Sequence, residues 1–253
     1  MRILASIALL LLASLQGRSQ SEHYEQLFEQ AGAMYANGDF DTAVVLYESI
    51  LAADYQSVGL YYNLGNAYFK SDRLPEAILN YERAKRLAPT DPDIEFNLQL
   101  ANERTTDRIE PLPELVLTRA WKAFLFGLSA DGWATMVLIF MALAATMLGL
   151  FLMSGKPLLK KGGFIGMLLF LAIAGLSWLC AWQVQQHKMA QDEAVVFAPS
   201  VTVMSAPDKE GTKLFVIHEG TKVGLLEWND SWVRIALPNG NEGWMLAEAV
   251  EVI

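Results

Sequence analysis

Two long apolar runs dominate the pattern of hydrophobic and polar positions along the chain. Residues 133–153 form 21 positions without an acidic or basic side chain, and residues 164–184 form a second run of the same kind. A helix rises about 1.5 Å per residue, so each run is long enough to cross a hydrocarbon layer of about 30 Å. The absence of charge in both runs argues against a channel, pump or proton relay. The pattern predicts a two-helix transmembrane hairpin.

The segment between the two runs, residues 154–163, contains Lys156, Lys160 and Lys161 and no acidic residue. The positive-inside rule makes it a cytoplasmic loop, so both flanking parts lie on the other side of the membrane. Residues 1–20 place a basic residue before a short apolar stretch, as a signal peptide does. An uncleaved anchor helix is the alternative. The predicted location is therefore the inner (cytoplasmic) membrane, multi-pass, with periplasmic N-terminal and C-terminal domains.

Residues 21–110 carry an amphipathic helix pattern that occurs twice at a fixed offset, first in residues 24–57 and again in residues 58–91. The second copy places small and aromatic residues where two helices must approach closely: Tyr61, Leu64, Gly65, Tyr68, Ala77, Tyr81, Ala84 and Pro89. This spacing resembles the tetratricopeptide repeat. Residues 92–108 predict one more helix, with Asp91 as its N-cap, that caps an all-α solenoid.

In tetratricopeptide arrays the first helix of each repeat lines a concave groove. The positions that this implies for a protein-binding groove are Tyr62, Asn63, Asn66, Phe69, Lys70, Phe96 and Asn97, with Phe28, Gly32, Tyr35 and Leu100 beside them. Asn63 and Asn66 lie one turn apart, and their amides both donate and accept hydrogen bonds to a peptide backbone. Alternatively, Asn63 and Asn97, which are equivalent by the repeat offset, serve the repeat itself. Lys70 is the single cation expected nearby, and one cation is too few to form the clamp that binds a terminal carboxylate.

Residues 111–132 combine a proline-bearing linker with the segment "VLTRAWKAFLFGLSADG". Aromatic and basic side chains alternate there, immediately ahead of the first apolar run. This composition predicts an interfacial helix that lies on the lipid bilayer.

From residue 191 onward the chain changes to short β-rich runs separated by turn signals, including Asn239 and Gly240. The segments "VMSAPDKEGT" and "WVRIALPNGNEGW" resemble the bacterial SH3-like domain. That resemblance implies a small all-β barrel over residues 191–253. Trp228 and Trp232 flank a turn and are the expected ligand surface, whereas Trp244 is expected in the core.

Charge and composition narrow the function classes. The formal net charge of −9 comes from acidic flanking regions around a basic middle. Acidic surfaces repel the phosphate backbone, so the charge argues against nucleic-acid binding. One cysteine, Cys180, and three scattered histidines exclude an intramolecular disulfide and give no metal-site spacing. The flanking regions contain no nucleophile–base pair and no phosphate-binding glycine loop. The sequence therefore predicts a protein that is not an enzyme and has no cofactor.

The order of segments, with the junction "DPDIEFNLQLANERTTDRIEP" leading to the membrane, resembles the BatE family of the Bacteroidetes aerotolerance operon. The resemblance implies a multidomain membrane scaffold linked to oxidative or envelope stress tolerance. Its implied partners are membrane proteins with von Willebrand A domains and a MoxR-type ATPase system. The alternative is a receptor that binds or senses cell-wall peptidoglycan through the SH3-like domain.

Overall fold

A computed structural model of the chain describes residues 22–110, 112–113, 115–189 and 192–253. The predicted signal peptide, residues 1–20, lies outside the described residues. The chain divides into two compact units. The first combines the segment up to Leu112 with the segment from Gln191 onward, and we call it the repeat–sheet unit. The second, Pro113–Ala190, we call the helix-pair unit.

Five helices build the first half of the repeat–sheet unit. They are α1 (22–36), α2 (Phe40–Leu51), α3 (Val58–Lys70), α4 (Leu74–Leu87) and α5 (Pro92–Asn102). Polar side chains cap the N-termini of α2, α3 and α5: Asp39 accepts from the Thr42 N–H, and Ser57 accepts from the Leu60 N–H. Asp91, the N-cap predicted from the sequence, accepts from the N–H groups of Asp93 and Ile94. Short turns then return the chain on itself, which pairs the helices.

The close approach of α3 and α4 depends on Gly65. A Cβ atom there would lie 2.7 Å from Cδ1 of Tyr81, whose side chain is fully buried. Tyr47, at the equivalent position of the preceding copy, is buried in the same way. The small-against-aromatic packing inferred from the repeat spacing is thus the packing that the helices adopt.

The second half of the repeat–sheet unit is an antiparallel sheet. Its strands are β1 (Glu193–Val196), β2 (Ser200–Met204), β3 (Lys213–His218), β4 (Lys222–Asn229), β5 (Trp232–Ala236), β6 (Glu242–Leu246) and β7 (Val250–Val252). They pair in the order β3-β2-β6-β5-β4-β1-β7. Side chains from alternate positions, including Val203, Val233, Ile235 and Met245, form the buried core of this sheet.

The sheet is not closed, so the predicted barrel is wrong in this respect. Among the residues described, the outer strands β3 and β7 are not paired with each other. β7 has only three residues and pairs with β1, while β2 reaches β6 through a single register pair, Met204 with Trp244. β3 and β7 are therefore the two edge strands of an open sheet.

Helix α4 covers the β7 edge of the sheet. Arg83 donates to the Val252 carbonyl at 3.0 Å and pairs with Glu251 at 3.2 Å. Arg86 donates to the carbonyl oxygen of Ile253. These guanidinium groups satisfy backbone acceptors that an open edge strand would expose.

An ion cluster around the buried Glu82, together with apolar packing, completes the contact between the repeats and the sheet. Lys222 Nζ lies 2.9 Å from an oxygen of Glu82 on α4 and 2.9 Å from an oxygen of Glu193 on β1. Val195 and Ile253 belong to the same buried apolar cluster as Ile78 of α4. The repeats and the sheet therefore share one core, although the whole helix-pair unit separates them in the chain.

The helix-pair unit contains α6 (Val116–Leu125), α7 (Ala130–Met153) and α8 (Pro157–Met189). α7 and α8 are long and apolar enough to cross a membrane. Phe151 lies near Phe164 and Phe140 lies near Phe170, so the two helices run antiparallel. The loop predicted over residues 154–163 is shorter in the structure, because Pro157, a favourable first helical residue, begins α8.

Candidate functional site

Helices α3, α4 and α5 share a cluster of tyrosine hydroxyls and asparagine amides. Asn66 Oδ1 accepts from the Tyr81 hydroxyl at 2.7 Å and from Asn97 Nδ2 at 2.9 Å. Asn97 Nδ2 also donates to the Tyr62 hydroxyl at 2.8 Å. We call this set the tyrosine–asparagine cluster, and its hydrogen bonds link α3, α4 and α5.

The cluster extends toward the first repeat through Asn63 and Tyr47. Burial raises the pKa of the Tyr47 hydroxyl, a hydrogen bond from Asn63 lowers it in part, and the nearby Tyr35 raises it further. Burial also raises the pKa of Tyr81, and the neighbouring Tyr35 and Tyr62 add to the effect. These hydroxyls stay protonated and neutral at physiological pH, so they act as donors as well as acceptors.

The structure brings four of the predicted groove residues together and leaves Phe69, Phe96 and Lys70 outside that cluster. Tyr62, Asn63, Asn66 and Asn97 belong to the tyrosine–asparagine cluster. Phe96 stands at the end of the array with 66% of its surface exposed, and Lys70 is exposed at the end of α3. Asn63 hydrogen-bonds to Tyr47, and Asn97 hydrogen-bonds to Tyr62 and Asn66. Both asparagines therefore hold the repeats together, whatever else they bind.

Phe69 does not join the cluster but contacts a cation that the sequence analysis missed. The Arg104 guanidinium lies 4.9 Å from the centre of the Phe69 ring and forms an ion pair with Asp72. Arg104 occupies the position in the third copy that Lys70 occupies in the second, and that signal was sufficient to find it. Two cations, Lys70 at the end of α3 and Arg104 just beyond α5, therefore occur where the sequence analysis expected a single lysine.

The two tryptophans predicted as one ligand surface on the sheet do not share a face. Trp228 pairs in register with Val233, whereas Trp232 pairs with Asn229. Because opposed residues of neighbouring strands point to the same side and successive residues alternate, the two indoles project to opposite faces. Trp228 is 55% exposed and Trp232 is half-buried.

Trp244 lies on the face of Trp232 and not in the core, contrary to the expectation from sequence. Its register partner is Arg234, two positions after Trp232 on β5, and its neighbours Gly243 and Met245 are the buried residues of β6. Alternation along β6 places Trp244 on the outer side. Arg234 between the indoles is held by Glu242 at 2.7 Å. This outer face, Trp232, Arg234 and Trp244, is the aromatic stripe of the sheet.

The described residues contain no group of three or more His, Cys, Asp and Glu side chains that could hold a metal ion. The site consists instead of neutral hydrogen-bonding groups and aromatic rings. Such a surface can bind a polypeptide through its backbone and its apolar side chains.

Comparisons with known proteins find relatives of two kinds, a BBSome complex member and a tetratricopeptide repeat protein. The chain is 32% identical over 80 residues to the BBSome complex member BBS4 of Bos taurus, which is 32% of the chain and 15% of that protein. It is 31% identical over 127 residues to Tetratricopeptide repeat protein 28 of Mus musculus, which is 50% of the chain and 5% of that protein. The chain thus spans a small part of these relatives. Residues 28–92 match the family described as Tetratricopeptide repeat, which confirms that α1–α4 are built from these repeats.

Proposed function

We propose that this protein is a membrane-anchored adaptor that binds partner proteins in the groove of its tetratricopeptide repeats. The match of residues 28–92 to the repeat family, together with the tyrosine–asparagine cluster, carries this proposal. Repeat arrays of this kind present extended concave surfaces to other polypeptides. The relative named as a BBSome complex member supports a role in assembling a complex.

The anchor in this proposal is the pair α7 and α8. Their length and apolar surface support insertion into the inner membrane, and Lys156, Lys160 and Lys161 at the turn between them support a cytoplasmic position for that turn. The repeats and the sheet then face the periplasm. Tethering keeps the groove near membrane-bound partners at high effective concentration, which compensates for modest affinity.

The resemblance to the BatE family supplies the more specific part of the proposal. It names membrane proteins with von Willebrand A domains and a MoxR-type ATPase system as partners, and tolerance of oxidative or envelope stress as the process. Under this proposal the groove binds a segment of one of those membrane proteins. The neutral lining favours recognition of an extended backbone with apolar side chains over recognition of a charged terminus.

The experiment is crosslinking followed by mass spectrometry on the full chain in its native membrane. The test variant is Lys70→Ala/Phe96→Ala, because both side chains are exposed at the groove and neither belongs to the tyrosine–asparagine cluster. The matched control is Val45→Ala, which removes a side chain that is 62% exposed on α2. Crosslinked partners should be lost in the test variant and kept in the control.

If the partners persist in Lys70→Ala/Phe96→Ala, the groove is not their binding surface. If Val45→Ala loses them equally, exposed apolar surface in general, and not the groove, is responsible. If the wild-type chain yields no partner in its own membrane, the adaptor proposal fails.

Peptidoglycan binding through the sheet is the second candidate function. The aromatic stripe favours it, because two indoles flank a guanidinium group on one face. Under this candidate the open sheet corresponds to the bacterial SH3-like domain that the sequence resembles. Co-sedimentation of the full chain with purified sacculi should decrease in Trp232→Ala/Trp244→Ala and stay unchanged in Trp228→Ala. Equal sedimentation of all three proteins would contradict a role of the stripe.

A further inference from the structure

Helix α6 has an exposed apolar face and, opposite it, a basic side. Val116 and Leu117 are each 82% exposed, Phe124 is 51% exposed and Trp121 is 44% exposed. At about 100° per residue these four side chains fall within an arc of about 140°. Arg119 and Lys122 lie on the other side of the helix. A helix with this distribution is suited to an interface between water and an apolar phase.

α6 is fixed against the ends of α7 and α8. Leu125 is buried with Trp133 of α7 and with Cys180 and Val184 of α8. The indole N–H of Trp133 donates to the Leu125 carbonyl at 2.9 Å. These contacts hold α6 in one orientation against α7 and α8. In that orientation the apolar face of α6 stays exposed.

Aromatic rings surround this junction. Phe124 contacts Trp121 and Trp133, with ring centres 5.6 and 5.3 Å apart, and Phe126 contacts His187 near the end of α8 at 4.8 Å. Aromatic rings concentrate at the boundary between headgroups and hydrocarbon. Their position at the end of α7 and α8, away from the lysine-bearing turn, assigns this junction to one membrane boundary.

The charge of the helix-pair unit matches a negative surface. The unit, Pro113–Ala190, contains six basic side chains, Arg119, Lys122, Lys156, Lys160, Lys161 and Lys188, and two acidic side chains, Glu114 and Asp131. Both adjoining segments of the chain are acidic, so this basic character is confined to the unit that carries the apolar helices. Anionic lipid headgroups attract basic residues next to a membrane span.

We infer that α6 is an anionic-lipid binding element. Arg119 and Lys122 bind the phosphodiester groups of negatively charged phospholipids, while Trp121 and Phe124 enter the boundary with the acyl chains. This inference rests on the proposed membrane anchoring by α7 and α8. It adds that the position of α6 on the bilayer depends on lipid charge, which the anchor alone does not require.

The test uses the full chain in lipid nanodiscs made from zwitterionic phosphatidylcholine, with or without phosphatidylglycerol. Hydrogen exchange is measured on peptides that cover residues 116–125. Exchange should be roughly tenfold slower in the anionic discs, because two basic side chains gain headgroup contacts there. Raising the salt concentration should remove the difference, and free inorganic phosphate added to zwitterionic discs should not reproduce it.

The test variant is Arg119→Gln/Lys122→Gln, and the matched control is Lys160→Gln/Lys161→Gln at the other end of the helix pair. The test variant should lose the dependence on anionic lipid, and the control should keep it. Equal exchange of α6 in both kinds of disc, or equal loss in both variants, would overturn the inference. Resistance of the protein to alkaline extraction reports anchoring separately: if the wild-type chain is extracted, the proposed anchor fails and this inference falls with it.

Discussion

Asp107 joins His218 through two hydrogen bonds, although 111 positions separate them in the chain. One carboxylate oxygen accepts from the His218 backbone N–H at 2.6 Å, and the other lies 2.9 Å from Nδ1 of the imidazole. The Thr221 hydroxyl donates to the same carboxylate at 2.7 Å. The segment that follows α5 is thus attached to the turn between β3 and β4, and the contact fixes the sheet to the end of the repeats.

Replacing Asp107 should weaken this attachment. In Asp107→Asn one oxygen acceptor and the negative charge are lost, while the N–H of His218 and the hydroxyl of Thr221 still require acceptors. We expect a loss of about 1–3 kcal/mol in the free energy of unfolding of the repeat–sheet unit. Pulse proteolysis of the full chain in detergent, at increasing urea, measures it. Thr221→Val removes one donor and should cost less; an equal or larger loss in Thr221→Val would contradict this assignment.

The same carboxylate predicts a pH dependence in acid. Burial alone raises the pKa of Asp107, but hydrogen bonds from the His218 side chain, Thr221 and the His218 backbone outweigh it, so the pKa is lowered overall. A group whose pKa is lower in the folded state stabilises the fold above its unfolded pKa, and that contribution is lost as the pH falls through the folded pKa. Wild type and Asp107→Asn should therefore differ most near neutral pH and converge below about pH 4. A difference that stays constant throughout the acid range would contradict it.

Lys222 predicts the opposite dependence in base. Burial lowers the pKa of its ammonium group, but the carboxylates of Glu82 and Glu193 outweigh this effect and raise it. A group whose pKa is higher in the folded state stabilises the fold below its unfolded pKa, and this contribution is lost as the pH rises through the folded pKa. The contact between α4 and the sheet should weaken above about pH 10.

Lys222→Met should remove that alkaline dependence and destabilise the repeat–sheet unit at neutral pH, because Glu82 would stay buried without its cation. The expected loss is about 2–4 kcal/mol, and the double variant Lys222→Met/Glu82→Leu should recover part of it. Urea midpoints of the full chain, measured at neutral pH and again above about pH 10, test both statements. A double variant less stable than Lys222→Met would show that Glu82 does not depend on this cation.

The repeats were predictable because their signal is local. Gly65 and Tyr81 follow a spacing that belongs to one repeat, and the N-cap of α5 is visible as Asp91 before Pro92. The contacts between the repeats and the sheet follow no repeated spacing in the sequence, so no local pattern predicts them. Arg83 meets Val252 across 169 positions and Lys222 meets Glu82 across 140, and both look in sequence like ordinary surface charges.

The errors on the sheet have a related cause. Trp228 and Trp232 are close in sequence, but strand register and not proximity decides the face on which each side chain lies. Trp244 was expected in the core by the resemblance of its Gly-Trp pair to the SH3-like fold, whereas its alternation with Gly243 and Met245 places it outside. Whether the edge strands β3 and β7 pair with each other is likewise a long-range property that no local pattern in either strand reports.

Gly65 offers a test of the packing between α3 and α4. In Gly65→Ala the new Cβ would lie 2.7 Å from Cδ1 of Tyr81, so the helices must separate or the ring must move. We expect a loss of about 1–3 kcal/mol in stability. Gly32→Ala is the matched control, because the nearest atom to its Cβ is the Tyr47 hydroxyl at 3.7 Å, and it should stabilise α1 by about 0.5–1 kcal/mol. Thermal unfolding by far-UV circular dichroism compares them, and an equal effect of both substitutions would contradict the close contact.

Gly163 has the corresponding role in the helix-pair unit. A Cβ there would lie 2.8 Å from the Met147 carbonyl oxygen and 2.8 Å from the Phe151 amide nitrogen, and backbone atoms cannot move aside as a flexible side chain can. Gly163→Ala should therefore force α7 and α8 apart, since small residues allow such close helix contacts. Gly162→Ala, at a position with no atom within 4 Å, is the matched control. Disulfide formation between Phe151→Cys and Phe164→Cys, in a Cys180→Ser background, reports the separation. The rate should fall several-fold with Gly163→Ala and stay unchanged with Gly162→Ala, and equal rates would mean that the two helices do not depend on this contact.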